Sequence, residues 1–576
     1  MSYLRGSNAL EGSPFRRRNN KLLGDIINSS VVYSGAPANN INSTSYAAFR
    51  TGNLSRTAAV FVGANDGMLH AFNASTGDEL FGYIPSWMSP RLAALTDVNY
   101  VSHHQSYVDG PPVVAEAQVG SAGTSADWKT VLVSGTGAGG RGVFALDVTD
   151  PTAFDASKVM WEFTADDDVD MGFVVGQPQI LKIRTSAPTA TTATYKWFAV
   201  VASGVNNYTK ANSDNKFSTG NPAIFLLDLS KAPETAWELG TNYYKVELPY
   251  DATLAVTKPT GVLNFKAAIA TGGNREVAQI FAGDLHGNMW KLDFRSHGTS
   301  GWNMANLSAF KKASDNAPYP LFVAKDSEGK VQPISMAPTL VTATNDPRAI
   351  LVAFGTGKYL ETDDRSSTAQ NSFYVIYDDG TATPDATPNG SGAISGRARL
   401  RAATIDSKGA ITVPGFTWGR ATSDLTTASS VSSGWYMDYA SSERQVSAAT
   451  LRGDTLVFAS LIPAAAGDSS SCGASGGGGN AYIVNVDTGI GTRSASTVGI
   501  TGEPLVIEVA STVAAISNGT GQRARTIKSQ AISQGSGGID NAGDGTDGSG
   551  QVTVTLIGGR LSWRQINNYL DLKRGS

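Results

Sequence analysis

The chain repeats one pattern of hydrophobic and polar positions: two short apolar runs joined by a turn that contains glycine. In the clearest copy, residues 59–63 form the first run, Asp66 and Gly67 lie in the turn, and residues 68–72 form the second run. Runs of this length and composition predict strands, and each joined pair predicts a β-hairpin. Five further copies occupy residues 131–135 with 142–147, 198–204 with 223–228, 279–288 with 289–293, 350–357 with 372–378, and 455–462 with 481–487.

Hairpins that recur at this spacing predict a β-propeller, in which four-stranded sheets form blades around an axis. Several blades are predicted to open with a proline, a residue that is tolerated at the first position of a strand. The number of predicted blade openings and hairpins favours an all-β, modified seven-bladed propeller of the quinoprotein-like type, with six or eight blades left open. Residues 1–26 are predicted to be an irregular lead-in and residues 27–576 the propeller, whose last blade combines strands from both chain ends.

Several segments interrupt the predicted strands. Ser89 stands as a cap before Pro90, which predicts a short helix over residues 89–95. Residues 135–140 fit G-x-G-x-x-G, but a β-branched apolar run follows, so the motif predicts a hairpin turn rather than a dinucleotide site. Outer strands are predicted for the aromatic-rich runs at 159–163 and 235–239, and long surface loops at 204–222, 362–371, 379–400, 464–480 and 516–550.

The composition narrows the classes of function. Charged residues make up 16% of the chain, below the usual level of about 25%, and the net charge is −4. Because no long basic run occurs, nucleic acid is not an expected partner, and the three arginines at 16–18 are interpreted as a solvated segment. No apolar run approaches the about 18 residues of a membrane span. The single cysteine, Cys472, excludes a disulfide within the chain.

The densest acidic cluster is a candidate calcium loop. Asp166, Asp168 and Asp170 have the alternate spacing with which a calcium-binding loop directs its oxygens at one ion. The pattern then departs from such a loop, because Met171 stands in the place of the turn glycine and Gln177 in that of the bidentate glutamate. A solvated loop between blades is the alternative.

Arg452, Gly453 and Asp454 form an integrin-type tripeptide, which also fits a turn before the strand at 455–458. The sequence contains no zinc-protease, serine-hydrolase or paired-cysteine motif. Quinone-dependent propeller enzymes commonly place an adjacent cysteine pair over the cofactor, which one cysteine cannot supply. The sequence therefore predicts a protein that is not an enzyme and binds no quinone. A calcium- or quinone-dependent propeller enzyme is the alternative.

Segments spread in order over nearly the whole chain resemble the C-terminal domain of the PilY family, the type IV pilus biogenesis factors and tip-associated adhesins. The most specific are residues 139–149, which read GGRGVFALDVT, and residues 282–291, which read AGDLHGNMWK. The other segments are 3–6, 23–29, 62–72, 107–110, 354–360 and 559–564.

The resemblance implies a secreted protein at the tip of a type IV pilus, exported through the periplasm. It implies roles in pilus assembly, in the control of retraction and so in twitching motility, and in adhesion. Minor pilins and a host-cell or abiotic surface are the implied partners. Because the first residues lack the apolar core of a secretory signal, the signal is expected upstream, as is a variable N-terminal region that often resembles a von Willebrand A domain.

Members of the family can carry a nine-residue calcium loop just before the strand that leads into residues 282–285. In that register stand Ala270, Gly272, Asn274, Glu276 and Ala278. Only Asn274 keeps a typical side-chain ligand, and Glu276 falls where the family uses a backbone carbonyl. A hard cation takes about six to eight oxygens. We therefore expect an eroded loop that does not bind Ca²⁺ tightly, with residues 166–170 as the second candidate for a bound ion.

Overall fold

The computed structural model describes residues 2–558, apart from 40, 206–220, 259, 271–274, 313, 382–393, 422–423, 426–430, 465–476, 516–522, 536 and 543–549. The chain divides into two compact units. The first unit consists of Met1–Lys358, Gln370–Arg401 and Phe416–Asp438, and the second of Tyr359–Ala369, Ala402–Gly415 and Tyr439–Ser576.

The first unit begins with three antiparallel sheets of four strands each, which the chain completes one after another. Sheet 1 contains, in spatial order, Val32–Ser34, Ala59–Gly63, Leu69–Asn73 and Glu79–Tyr83. Sheet 2 contains Val113–Gln118, Trp128–Gly135, Gly142–Asp147 and Val159–Thr164. Sheet 3 contains Gln179–Arg184, Tyr195–Ala202, Ala223–Asp228 and Tyr243–Glu247.

Two larger sheets follow. Sheet 4 contains Gly204–Val205, Gly261–Ile269, Val277–Asp284, Asn288–Asp293, Phe322–Val323 and Ile394–Ser395. Sheet 5 contains Thr339–Thr342, Ile350–Gly355, Ser372–Asp378, Gly434–Asp438 and Arg401–Ala402. A short hairpin pairs Phe310–Lys311 with Pro318–Tyr319.

The second unit contains two large sheets among its described residues. Sheet 6 contains, in spatial order, Thr404–Ile405, Ala410–Thr412, Gly491–Ala495, Asn480–Asn485, Thr455–Ala459 and Thr450–Arg452. In sheet 7, Leu505–Ala515 lies on one side of Arg523–Gly535, and both Gly538–Asn541 and Gln551–Gly558 lie on its other side. A further short pair joins Ile462–Pro463 to Gly477–Gly478.

Helices are short and few in the described part of the chain. The longest α-helix, Thr44–Gly52, begins where the Ser43 hydroxyl accepts the Tyr46 amide, and it buries Tyr46 and Phe49. None of these helices has the length and hydropathy that crossing a bilayer requires. The other α-helices are Ala252–Ala255 and Met304–Leu307. The 3₁₀ segments are Ser86–Thr96, Tyr100–His103, Ser125–Asp127, Gly137–Gly139, Pro151–Ala153, Ala156–Lys158, Thr299–Gly301, Thr362–Arg365 and Arg397–Arg399.

In the first unit each central sheet packs on both of its faces. Val131 and Val133 of sheet 2 share a buried cluster with Trp197 of sheet 3. Leu132, between them, points to the other face and shares a cluster with Phe61 of sheet 1. Because side chains alternate along a strand, one continuous apolar run supplies both cores. Sheets stacked face to face in chain order are the arrangement of propeller blades.

The same alternation links the next sheets. Phe198 of sheet 3 shares a cluster with Ile280 of sheet 4, and the adjacent Phe281 shares one with Val352 of sheet 5. Buried apolar clusters therefore join each of the five sheets of the first unit to the next one.

The turn in sheet 4 shows how local sequence specifies a hairpin. Asp284 ends one strand, and its carboxylate accepts the amides of His286 and Asn288 at 3.0 and 2.9 Å. The indole Nε1 of Trp290 donates to the same carboxylate at 2.8 Å. Gly287 has φ +82°, a conformation that favours glycine. Burial raises the pKa of Asp284.

The structure confirms all six predicted hairpins and the turn at 135–140, and it corrects four details. The run at 235–239 is not a strand; its Trp237 donates to the Glu162 carbonyl at 2.7 Å and packs on aromatic rings, and the outer strand is Tyr243–Glu247. The predicted helix is a 3₁₀ segment that begins at Ser86, so Ser89 does not cap it. The strand predicted from residue 26 covers only Val32–Ser34.

The fourth correction concerns the loop predicted over 516–550. Its residues 523–535 form the longest strand of sheet 7, because alternating polar and apolar residues satisfy a sheet that is solvated on one face. In the described residues no sheet combines strands from the two ends of the chain. The closure of the ring and the seven-blade count therefore stay predictions.

Candidate functional site

The acidic loop at 166–170 carries an ammonium group between two of its carboxylates. Asp168 and Asp170 are buried, and the Lys245 Nζ lies 3.1 Å from the Asp168 Oδ1 and 2.5 Å from the Asp170 Oδ2. Lys245 comes from the outer strand of sheet 3, and Asp166 is exposed. The structure thus brings together two of the three predicted ligands, and their cationic partner is a lysine.

The surrounding groups also donate hydrogen bonds to these carboxylates. The Tyr243 hydroxyl donates to the Asp168 Oδ2 at 3.0 Å, and the backbone N–H of Asn221 donates to the Asp170 Oδ1 at 2.6 Å. Burial, together with the negative charge of Asp168, raises the pKa of Tyr243 to about 12. Burial alone would lower the pKa of Lys245, but hydrogen bonds to the two aspartates outweigh it and raise this pKa. The ammonium is therefore charged over the physiological pH range.

The eroded family loop at residues 270–278 is described only in part. Asn274 lies outside the described residues. The Glu276 Oε1 lies 3.7 Å from the Lys182 Nζ of sheet 3. In the described part of the chain, no three side chains of Asp, Glu, His or Cys converge in a way that could hold a metal ion. Calcium binding at residues 166–170 stays a prediction, and so does the expectation that the loop at 270–278 does not bind Ca²⁺ tightly.

The integrin-type tripeptide lies at the tip of a hairpin in sheet 6. Gly453 and Asp454 are the two residues that join the paired positions Arg452 and Thr455. Gly453 has φ +64°, as the first residue of a type II′ turn requires, and all three residues of the tripeptide are exposed. Two hydrogen bonds fix the tip. The Asp454 Oδ2 accepts one from the Asn485 Nδ2 at 2.7 Å, and the Arg452 Nη2 donates one to the Val506 carbonyl at 3.1 Å.

A pocket of about 490 Å³ that sequence reasoning missed lies between the N-terminal lead-in and the segment at 95–104. Arg16 lines it, with its guanidinium 4.5 Å over the Tyr100 ring. The sequence analysis interpreted Arg18 as solvated, and the structure corrects this. Its side chain is only 6% exposed and forms an ion pair with Glu11 at 2.6 Å. The lead-in therefore uses arginines to fold against the body of the unit.

Two histidines with carboxylate partners lie near this pocket. The His104 Nε2 is 2.9 Å from the Asp25 Oδ1. His70 is buried, with its Nδ1 2.6 Å from the Glu79 Oε1 and its Nε2 3.1 Å from Asp66. Burial alone would lower the pKa of His70, but the hydrogen bonds and charges of Asp66 and Glu79 outweigh it and raise this pKa above 6.5.

Comparison with known proteins identifies relatives over most of the chain. The family model of the PilY1 beta-propeller domain matches residues 23–408. A type IV pilus biogenesis factor PilY1 homolog of Xylella fastidiosa is 32% identical over 518 residues, which cover 85% of this chain and 31% of that protein. The type IV pilus biogenesis factor PilY1 of Pseudomonas aeruginosa strain PAK is 34% identical over 402 residues, which cover 66% of this chain and 30% of that protein.

A solved structure shares the fold. The crystal structure of the Pseudomonas aeruginosa PilY1 C-terminal domain matches with a TM-score of 0.58 and 22% identity, over 89% of this chain and 99% of that one. The fold is an all-β propeller. The chain spans about a third of the length of the curated relatives it matches.

Proposed function

Because this chain belongs to the PilY1 β-propeller family, we propose that it is the interaction module of a type IV pilus biogenesis factor and not an enzyme. The observation that carries the proposal is the match of the family model to residues 23–408, together with relatives that are 32–34% identical. The module would be a seven-bladed propeller, exported through the periplasm to the pilus tip. There it would bind minor pilins and take part in pilus assembly, in the control of retraction and in adhesion to cells or abiotic surfaces.

The conspicuous acids of the chain make structural contacts within the fold. Asp168 and Asp170 form ion pairs with the ammonium of Lys245, and the carboxylate of Asp284 accepts hydrogen bonds from the backbone of a turn. A catalytic acid or base instead needs a proton that it can exchange with a substrate. The alternative, a calcium- or quinone-dependent enzyme, is not favoured by these contacts.

The test is a deletion of the gene in a piliated bacterium that encodes it, complemented with the full-length gene or with one lacking the codons of this chain. We expect the truncated gene to leave surface pili, twitching and attachment as low as the deletion does. Full recovery by the truncated gene would refute a role of this chain in all three.

The exposed hairpin tip supports a second proposal, that Arg452, Gly453 and Asp454 bind an integrin on a host cell. A tight turn presents the three residues with little conformational freedom, which lowers the entropy lost on binding. Asp454→Glu keeps the charge but lengthens the side chain, so we expect cells that display integrins to adhere less to the immobilised variant. Asp346→Glu, at an exposed turn in the first unit, is the matched control. Equal adhesion to both variants and the parent would contradict the proposal.

Calcium at residues 166–170 is a further part of the proposal. An ion with carboxylate ligands would take the position that Lys245 now holds between Asp168 and Asp170. Calcium would therefore compete with an ammonium group, and removal of that group should reveal the competition.

A further inference from the structure

Sheet 7 of the second unit carries an unusually long edge strand. Leu505–Ala515 has eleven residues, about twice the usual strand length of five to six. It pairs with Arg523–Gly535 on one side, and over residues 507–514 no described strand pairs with its other side. Here "the ribbon" means the three strands Leu505–Ala515, Arg523–Gly535 and Gln551–Gly558, and "the outer edge" means residues 507–514. An edge of this kind is a template for a further strand.

One face of the ribbon is a protein core at its base. Val506, Ala531 and Val552 are buried in a cluster with Val457 and Ala481 of sheet 6. These contacts anchor the ribbon to the second unit.

The same face continues outward without such a cover. The pairing register places Val513, Arg525 and Leu556 in one row across the three strands, on the side of Val506 and Val552. Val513 is 60% exposed and Leu556 is 50% exposed. A face that is buried at one end, and at the other exposes Val513 and Leu556 beside the cation Arg525, marks a surface for a partner.

The charge of the ribbon selects among partners. It carries three cations, Arg523, Arg525 and Lys528, and one acid, Glu508, whereas the whole chain has a net charge of −4. Glu508 lies 3.3 Å from Arg525, and both side chains are about half exposed. All three cations belong to the strand next to the outer edge, within reach of long side chains on an added strand. Arg523 and Arg525 lie on one face with Glu508, and Lys528 lies on the other, so each face has one excess positive charge and favours an acidic segment.

We propose that the outer edge binds an extended acidic segment of a partner protein, which adds to the ribbon as a further strand. Main-chain hydrogen bonds along the edge would provide affinity. In an alternating strand the acidic side chains would lie on the face of Arg525 and Val513, and the apolar ones on the opposite face beside Ile507. The inference deepens the proposed function, on which it rests, by naming the surface that an interaction module would offer to a pilus protein.

The test measures binding of three fluorescent eight-residue peptides to the full chain by fluorescence polarisation. One alternates valine and glutamate, one alternates valine and lysine, and one carries proline in place of every second valine of the acidic peptide. We expect the acidic peptide to bind at least about tenfold more tightly than the other two. Its affinity should also fall with added salt, which screens exposed charges.

Substitutions then assign the surface. Val513→Asp and Arg525→Glu should each weaken binding of the acidic peptide by about tenfold or more. Val98→Asp, at a valine that is 62% exposed in the first unit, and Lys266→Glu are the matched controls and should bind as the parent does. Each substitution is at an exposed side chain, and circular dichroism would verify the fold.

Three outcomes would overturn the inference: no binding of the acidic peptide, equal binding by Val513→Asp and the parent, or a dimer of the parent that Val513→Asp dissociates in sedimentation. The dimer would assign the edge to a second copy of this chain instead of a partner. Because peptide binding is measured on purified protein, its failure is distinct from a failure of the truncation to affect piliation.

Discussion

Replacement of Lys245 by methionine is the sharpest test of the acidic loop. Methionine keeps the apolar stem of the lysine and removes the ammonium that lies between the buried carboxylates of Asp168 and Asp170. Loss of one partner from a buried ion pair costs about 3–5 kcal/mol. The Lys245 side chain is 15% exposed, so water recovers part of this. We expect the free energy of unfolding to fall by about 3 kcal/mol, the lower end of that range.

A matched control is present in the same sheet. The Lys196 Nζ lies 2.6 Å from the Asp228 Oδ2, but its side chain is 47% exposed. Exposed ion pairs contribute about 0–1 kcal/mol, so Lys196→Met should cost less than Lys245→Met. Chemical denaturation followed by tryptophan fluorescence measures both variants. Equal costs would refute the view that burial makes the Lys245 contacts important.

The same variant tests calcium. If the ion takes the place of the ammonium, Ca²⁺ at 100 times its dissociation constant should return about 2.7 kcal/mol to Lys245→Met and nearly restore it. The parent should gain less, because calcium must first displace the lysine. A variant that Ca²⁺ does not stabilise would refute a calcium site at residues 166–170.

The pH dependence of the same pair has a definite sign. The pKa of Lys245 is raised in the folded protein, so its contribution is present below the unfolded value of about 10.4 and is lost as the pH rises through the folded value. The difference in stability between the parent and Lys245→Met should therefore stay constant from pH 6 to 9 and shrink only above about pH 10.4. A difference that disappears already at pH 8 would contradict the assignment.

Three further substitutions test other contacts. Trp290→Phe removes the donor that lies 2.8 Å from the buried Asp284, and denaturation should show a loss of about 1–3 kcal/mol; an unchanged midpoint would contradict the role of that turn. Gly453→Ala should cost about 1–2 kcal/mol because φ is +64°, and thermal unfolding would show whether the turn relaxes instead. His70→Gln should destabilise more at pH 5.5 than at pH 8, because the raised pKa of His70 gives a contribution that is present below about 6.5 and is lost as the pH rises through the folded value; equal losses would refute it.

The hairpins could be predicted because their determinants are local. In the turn of sheet 4, Asp284, Gly287 and Trp290 lie within seven residues of each other and form the contacts that close it. Each apolar run also alternates between two cores, so its continuous hydrophobicity indicated a strand that is covered on both faces. The outer strands lack this signal. Trp237 belongs to an aromatic run that resembles a strand, yet it packs from a loop.

The partner of the acidic loop could not be predicted, since it comes from a distant strand. Lys245 is 75 residues from Asp170 in sequence, and spacing within 166–170 says nothing about it. One signal was available: Tyr243, Lys245 and Glu247 alternate along one strand, and a polar face in an apolar sheet indicates buried polar partners. The same limit applies to Arg18, whose acid is close in sequence but whose burial depends on the fold of the lead-in.

The ribbon shows why a function can lie where the sequence signal is weakest. Residues 523–535 are rich in serine, threonine and glutamine, and such a composition is typical of loops as well as of a strand with one solvated face. A strand that is covered on both faces by its own chain needs a continuous apolar run. The sequence signal is therefore strong for strands that are buried within the protein. The ribbon leaves the edge of its apolar strand Leu505–Ala515 exposed, and the polar residues and cations of the neighbouring strand keep it soluble before a partner binds. The weakness of the pattern in Arg523–Gly535, beside the apolar edge of Leu505–Ala515, is therefore what a surface for a further strand requires.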